Sequence, residues 1–299
     1  MNCAIRTEHL EKRFHRVEAV RDLDLDVPTG AIYALVGPNG AGKTTTIKIL
    51  MNIFPATSGH AEVLDTDSNK LAGRAFTSIG YVSENQHLPD WMRVDAFFAY
   101  LRPFYPSWDR NLENELVKQF QLPLDRKLAK LSRGMRMKAA LASALAYRPK
   151  LIVLDEPFGG LDPLVRDEVI EGLLERASEA TILVSSHDLA EIENLASHIG
   201  YLDQGSLRLS EEMTTLTERF REVELTFDQP PLSPERLPGS WMQVSTSASV
   251  LRFIESRFNE ERTTGDIRRS FGDVRNVTLT PMSLRSIFLA MAKTGRDSA

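Results

Sequence analysis

A glycine-rich segment, GPNGAGKTT at 37–45, lies between the apolar run AIYALV at 31–36 and TTTIKILMNIF, where Ile47, Leu50, Met51 and Phe54 recur at helical spacing. A strand buried on both faces, a tight loop and an amphipathic helix in that order leave few folds open to the chain. Gly37, Gly40 and Gly42 allow backbone conformations that other residues resist, so successive N–H groups can turn inward as an anion nest. The following helix points its N-terminus at the same spot, and Pro55 is expected to end it. The segment matches G-x-x-x-x-G-K-[ST] in full. In that motif Pro38, Asn39, Ala41 and Thr45 complete a phosphate cradle, Lys43 brings a point charge to the β and γ phosphates, and the Thr44 hydroxyl ligates Mg²⁺.

Two further buried-strand runs follow, LIVL at 151–154 and TILVSS at 181–186. Between them a helical pattern sets Val169, Leu173 and Leu174 on an inner face. Strands alternating with helices predict a mostly parallel sheet, whose ligands gather at the carboxyl ends of the strands. Asp155 and Glu156 stand at one such end, Asp155 suited to hold Mg²⁺ and Glu156 to polarise an attacking water. His187 stands just past another, within reach of a γ-phosphate. The first 30 residues alternate apolar and polar and turn at Pro28–Gly30, as antiparallel strands do. From about 85 to 147 the rhythm breaks into a helix-rich, aromatic stretch with Pro89, Pro103, Pro106 and Pro123. Its Phe97, Phe98, Tyr100, Phe104, Tyr105 and Trp108 are read chiefly as a local core, with Trp91 and Met92 as candidate lining of a docking groove. After about residue 215 the composition shifts, and EVELTF at 222–227 begins a new strand. The expected fold is α/β: a P-loop NTPase with a mostly parallel sheet flanked by helices, N-terminal antiparallel strands, an inserted helical subdomain and a small C-terminal α+β appendage. The expected domains are 1–215 and 216–299.

Together these residues resemble the ATP-binding subunits of ABC transporters, over roughly 5–215. Phe14 in EKRFH matches the aromatic that stacks on adenine in that family. LSRGM at 131–135 is similar to the family signature, GGLDP at 159–163 to its D-loop, and His187 to its switch histidine. The resemblance implies ATP hydrolysis with Glu156 as general base and His187 in support. It also implies that Ser132 and the Gly134 backbone cap the γ-phosphate of ATP held by a second ATPase subunit, in a head-to-tail homodimer or heterodimer. Arg133 and Met135 depart from the signature, and Glu84 in SIGYVSENQ replaces the usual Q-loop glutamine while still able to serve Mg²⁺. SLRSIFLAMAK at 283–293 forms an amphipathic helix and resembles the ending common in exporter-type subunits, which implies export.

Apolar residues make up 42% of the 299 residues and charged residues 26%, with a net charge of −5. That balance excludes extensive disorder and has the wrong sign for a nucleic-acid partner. The single cysteine, Cys3, excludes an internal disulfide framework and suits a reducing compartment. No apolar stretch approaches the ~18 residues of a membrane span, and MNCAIRTEHLEKRF lacks a signal-peptide core. The membrane-spanning permease subunits are therefore expected on other chains, with this one cytoplasmic and peripheral on the inner face of the cell membrane. Two other classes fit parts of the sequence. A nucleic-acid-directed ABC ATPase would carry a coiled-coil insertion or a second cassette, and a nucleotide-binding regulator without turnover rests only on Glu84 and Arg133.

Overall fold

The computed structural model describes residues 2–84, 86–231, 236–272 and 274–297. The chain divides into two compact units, Met1–Ser210 and Glu211–Ala299.

In the first unit β1 (Cys3–Phe14) and β2 (Val17–Pro28) form an antiparallel hairpin. After β3 (Ile32–Val36) and α1 (Lys43–Leu50), strands β4 (Ser58–Val63) and β5 (Thr66–Asp67) extend the hairpin into a sheet of order β2-β1-β4-β5. Next come β6 (Ile79–Ser83), helices α2 (Val94–Leu101), α3 (Arg110–Gln119) and α4 (Arg133–Leu145), then β7 (Leu151–Asp155), α5 (Pro163–Leu174), β8 (Thr181–Ser186), β9 (His198–Asp203) and β10 (Ser206–Glu212). The second sheet has order β10-β9-β3-β8-β7-β6, and the pairs from β9 through β6 are parallel.

Every residue of β3, β7 and β8 is buried, as their unbroken apolar runs require for strands covered on both faces. Leu10, Leu25, Ile47, Leu50, Val153 and Leu183 belong to one core cluster that joins the antiparallel sheet, α1 and the parallel sheet. Register is the feature that matters for function. Val36 pairs with Ser186, Asp155 with Ser185, and Ser83 with Asp155. The residues just beyond these strands, Gly37, Glu84, Glu156 and His187, therefore emerge along one edge of the sheet.

Two local expectations are corrected. Helix α1 stops at Leu50, short of Pro55. Asn52 takes a left-handed φ of 52°, and the Ile53 N–H reaches back to the Lys48 carbonyl at 2.8 Å, closing the helix end. Leu174, at the end of α5, is 45% exposed, while Val169 and Leu173 are fully buried.

In the helical insertion Phe97 and Phe98 are buried, and Tyr105 stacks on Tyr147 at 3.9 Å between ring centres. The buried Glu113 carboxylate is satisfied by the Arg102 guanidinium at 2.6 and 2.9 Å and by the Trp108 indole N–H at 2.7 Å. Trp91, Tyr100 and Phe104 are exposed instead.

The second unit contains α6 (Met213–Arg219), β11 (Arg221–Thr226), β12 (Trp241–Ser247), β13 (Val250–Glu255), α7 (Glu260–Phe271), β14 (Asn276–Pro281) and α8 (Leu284–Asp297). Its sheet, order β12-β13-β11-β14, is antiparallel, and Trp241 stacks on Phe253 at 3.9 Å in a core shared with Ile267 of α7. Among the described residues no helix is long and apolar enough to cross a membrane.

Candidate active site

The loop between β3 and α1 is wedged against neighbouring backbone. A side chain at Gly37 would collide with the Leu202 carbonyl oxygen, and one at Gly42 with that of Ala19. Gly42 also caps α1 with a φ of 108°, a conformation that glycine alone adopts without strain. Close packing thus fixes the loop that presents Lys43 and Thr44.

Lys43 is buried and turned inward. Its ammonium donates to the carbonyls of Gly37 at 2.7 Å and Pro38 at 3.3 Å, and lies 3.1 Å from Glu156 Oε1. The other carboxylate oxygen, Oε2, accepts from the His187 backbone N–H at 3.3 Å and pairs with His187 Nδ1 at 2.8 Å. Glu156 is 8% exposed, and its charge is met from both sides, as a buried carboxylate requires. Its φ of 50° is unusual for a non-glycine residue and marks a position held by its surroundings. The hydrogen bond to Glu156 raises the His187 pKa above its ordinary 6.5, against burial and the repulsion of Lys43. Behind this cluster the Thr44 hydroxyl donates to Asp155 Oδ1 at 3.0 Å.

Ser185 completes the arrangement, and the sequence reading missed it. Fully buried in β8, its hydroxyl donates to Asp155 Oδ1 at 2.7 Å and accepts from the Glu156 backbone N–H at 2.9 Å. One oxygen thereby fixes both acidic residues. The available signal was a serine inside a fully buried strand, where a polar group must have a partner.

A cavity of about 540 Å³ opens here, lined by residues 39–45, Val17, Glu18, Ala19, Glu84, Glu156, Gly159 and His187. Gly37, Pro38 and Asp155 are not in that lining but bond to it, the two carbonyls to Lys43 and the carboxylate to Thr44. Phe14 is not part of it. Its ring rests edge-on against Phe54 at 5.5 Å with the Lys12 ammonium over its face, while its hairpin partner Val17 lines the cavity. Ser132 and Gly134 lie elsewhere, at the start of α4. The Ser132 hydroxyl caps that helix by accepting from the Met135 N–H at 3.2 Å, and Gly134 lies against Val165 of α5. Glu84 reaches the cavity wall, its carboxylate 3.9 Å from the Arg133 guanidinium. A second cavity, about 340 Å³, is lined by Ile53, Phe76, Tyr81, Phe97, Tyr105 and Tyr147 among others. Neither Trp91 nor Met92 lines it.

The cavity is of a size that takes small ligands, and its glycine cradle and lysine suit a polyphosphate. The Thr44 hydroxyl and Asp155 carboxylate are hard oxygen donors of the kind Mg²⁺ prefers. Fold and site together define a P-loop NTPase.

Comparison with known proteins narrows the class. Residues 20–159 match the ABC transporter family. The chain is 30% identical over 226 residues to the ABC transporter ATP-binding protein YtrB of Bacillus subtilis (strain 168), covering 75% of this chain and 77% of that protein. It is 33% identical over 215 residues to the sulfate/thiosulfate import ATP-binding protein CysA of Salmonella typhi, covering 68% of this chain and 59% of CysA. The fold superposes with a TM-score of 0.62 on the ATP-binding cassette MJ0796, solved as a dimer in a post-hydrolysis state with ADP and Pi. That match is 22% identical and covers 70% of this chain and 98% of the other. The chain belongs to the ABC transporter family, as an ATP-binding ATPase subunit.

Proposed function

We propose that this chain is the motor subunit of an ABC transporter, hydrolysing Mg·ATP at a head-to-tail dimer interface to drive export by separate transmembrane permease subunits. The observation that carries the reading is the Lys43–Glu156–His187 cluster at the mouth of the cradle, with Thr44 and Asp155 directly behind it.

The ground state explains how the site is switched on. Lys43 is committed to Glu156, so incoming phosphates draw the ammonium toward themselves and free Oε1 as a proton acceptor. Water then attacks the γ-phosphorus, the bond to the β-phosphate oxygen breaks, and the water proton passes to Glu156, leaving ADP and phosphate. His187 keeps the second carboxylate oxygen and holds Glu156 in place. Thr44 and Asp155 would hold Mg²⁺, with Glu84 on the adjoining wall. When bound, the ion supplies neutralisation of the phosphate charge.

Phe14, 37% exposed, is assigned to adenine stacking once nucleotide enters. Ser132 and Gly134, at the N-terminus of α4, are assigned to the γ-phosphate held by the opposite subunit, where helix N–H groups favour an anion. The apolar second cavity, rather than Trp91 and Met92, is the better candidate seat for a permease helix. Residues 1–215 are assigned to the ATPase cassette and 216–299 to an accessory domain. The assembly is placed at the inner face of the cell membrane, with no nucleic-acid partner.

Affinity purification of Glu156→Gln from solubilised membranes in the presence of ATP tests the reading. The substitution should block turnover and trap an ATP-bound pair, and a multi-span membrane protein is expected to co-purify. Ribosomal or DNA-associated proteins in its place would overturn the transport reading.

A further inference from the structure

Arg133 and Glu84, two of the residues that depart from the family pattern, meet in the folded chain. Glu84 follows β6 and reaches the wall of the nucleotide cavity, while Arg133 occupies the first position of α4. Arg133 Nη2 lies 3.9 Å from Glu84 Oε1. The same guanidinium lies beside the loop after Glu156. A side-chain carbon at Gly160 would come within 2.6 Å of Nη1, and one at Gly159 within 3.7 Å of Nη2. Gly160 has a φ of 67°, a left-handed backbone that favours glycine, and the guanidinium occupies the space beside it. Arg133 therefore bridges the start of the signature helix, the loop carrying Gly159 and Gly160, and the carboxylate of Glu84.

That carboxylate faces two possible cationic partners. One is the guanidinium it meets in this structure. The other is the cation that Thr44 and Asp155 would hold, Thr44 lining the same cavity as Glu84. We infer that Arg133 is a positioning residue that draws Glu84 away from the metal, so that guanidinium and Mg²⁺ compete for one carboxylate. The inference rests on the reading of the cavity as a Mg-nucleotide site. Linkage makes the competition reciprocal: metal binding loosens Arg133 from Glu84 and so frees the start of α4, as Arg133 holding Glu84 weakens the metal. Glutamine in place of Glu84 would keep an oxygen for the metal but lose the charge, so the guanidinium would hold it far more weakly.

The test is a double-mutant cycle on the full chain, read by Mg²⁺ titration of fluorescent ATP-analogue binding, so that turnover plays no part. In the wild-type background Arg133→Ala should lower the Mg²⁺ midpoint about two- to fivefold, the scale of a half-exposed ion pair. In the Glu84→Gln background the same substitution should move the midpoint clearly less. The comparison matters because loss of a positive charge near the site would tighten Mg²⁺ binding in both backgrounds alike. Arg133→Lys, which keeps the charge and perturbs the helix start least, should return the midpoint toward the wild-type value. Equal shifts in both backgrounds, or no shift beside Glu84, would overturn the role given to Arg133 while leaving the nucleotide site intact. Absence of analogue binding by the wild-type chain would overturn the site reading and this inference together.

Discussion

Replacing Ser185 by alanine removes one oxygen and two interactions. The Glu156 N–H, buried at the end of β7, loses its acceptor at 2.9 Å, and Asp155 Oδ1 loses a donor at 2.7 Å while keeping Thr44 at 3.0 Å. An unsatisfied buried amide costs about 1–3 kcal/mol, and a hydrogen bond to a charged group contributes about 1.5–3 kcal/mol. With Thr44 still in place the sum is expected near the lower end of that combined range, about 3 kcal/mol. For a folded unit of this size that corresponds to a melting temperature lower by roughly 6–12 °C. Ser185 also sets the backbone from which Glu156 projects, so kcat for ATP hydrolysis should fall about ten- to hundredfold, equivalent to roughly 1.4–2.7 kcal/mol in the barrier. Ser186→Ala is the matched control. Its hydroxyl serves Glu191 at 2.7 Å and the Asp188 carbonyl at 3.2 Å and makes no bond to Asp155 or Glu156, so stability should drop without a comparable loss of kcat. Urea unfolding and steady-state ATPase assays on the three proteins decide the matter. A Ser185→Ala protein within about 0.5 kcal/mol of wild type, or one with unaltered kcat, would refute the assignment.

The His187–Glu156 pair should make stability depend on pH. Because the folded pKa is raised, the contribution is fully present below the ordinary imidazole value of 6.5 and is lost as pH climbs through the higher folded value. The stability gap between wild type and His187→Ala, followed by urea unfolding, should therefore be widest in acid and narrow toward alkaline pH. A gap that widens instead would contradict the geometry. Gly134→Val should destabilise the chain by about 1–3 kcal/mol through overpacking, because even a first side-chain carbon there would lie 2.8 Å from Val165 Cγ1. Val165→Ala in the same chain should restore most of that loss, measured by thermal unfolding.

Much of the site was legible in the linear chain because its chemistry is local. The spacing of Gly37, Gly40, Gly42, Lys43 and Thr44 is a loop-and-helix property, and three unbroken apolar runs identify strands whose next residues must lie near one another if the sheet is parallel. Asp155, Glu156 and His187 follow from that pattern, and the paired registers of β3, β6, β7 and β8 realise it. Helix ends were less legible. The closure at Asn52 depends on one left-handed backbone angle rather than on Pro55, and the exposure of Leu174 depends on what α5 packs against. The tertiary structure alone decided that Lys43 rests on Glu156, that Ser185 joins the two acidic residues, and that Arg133 lies between Glu84 and Gly160. The physical reason is distance along the chain. Motif chemistry is written within a few residues, whereas a buried charge or hydroxyl takes its partner from whichever distant strand or helix the packed core brings within about 3 Å.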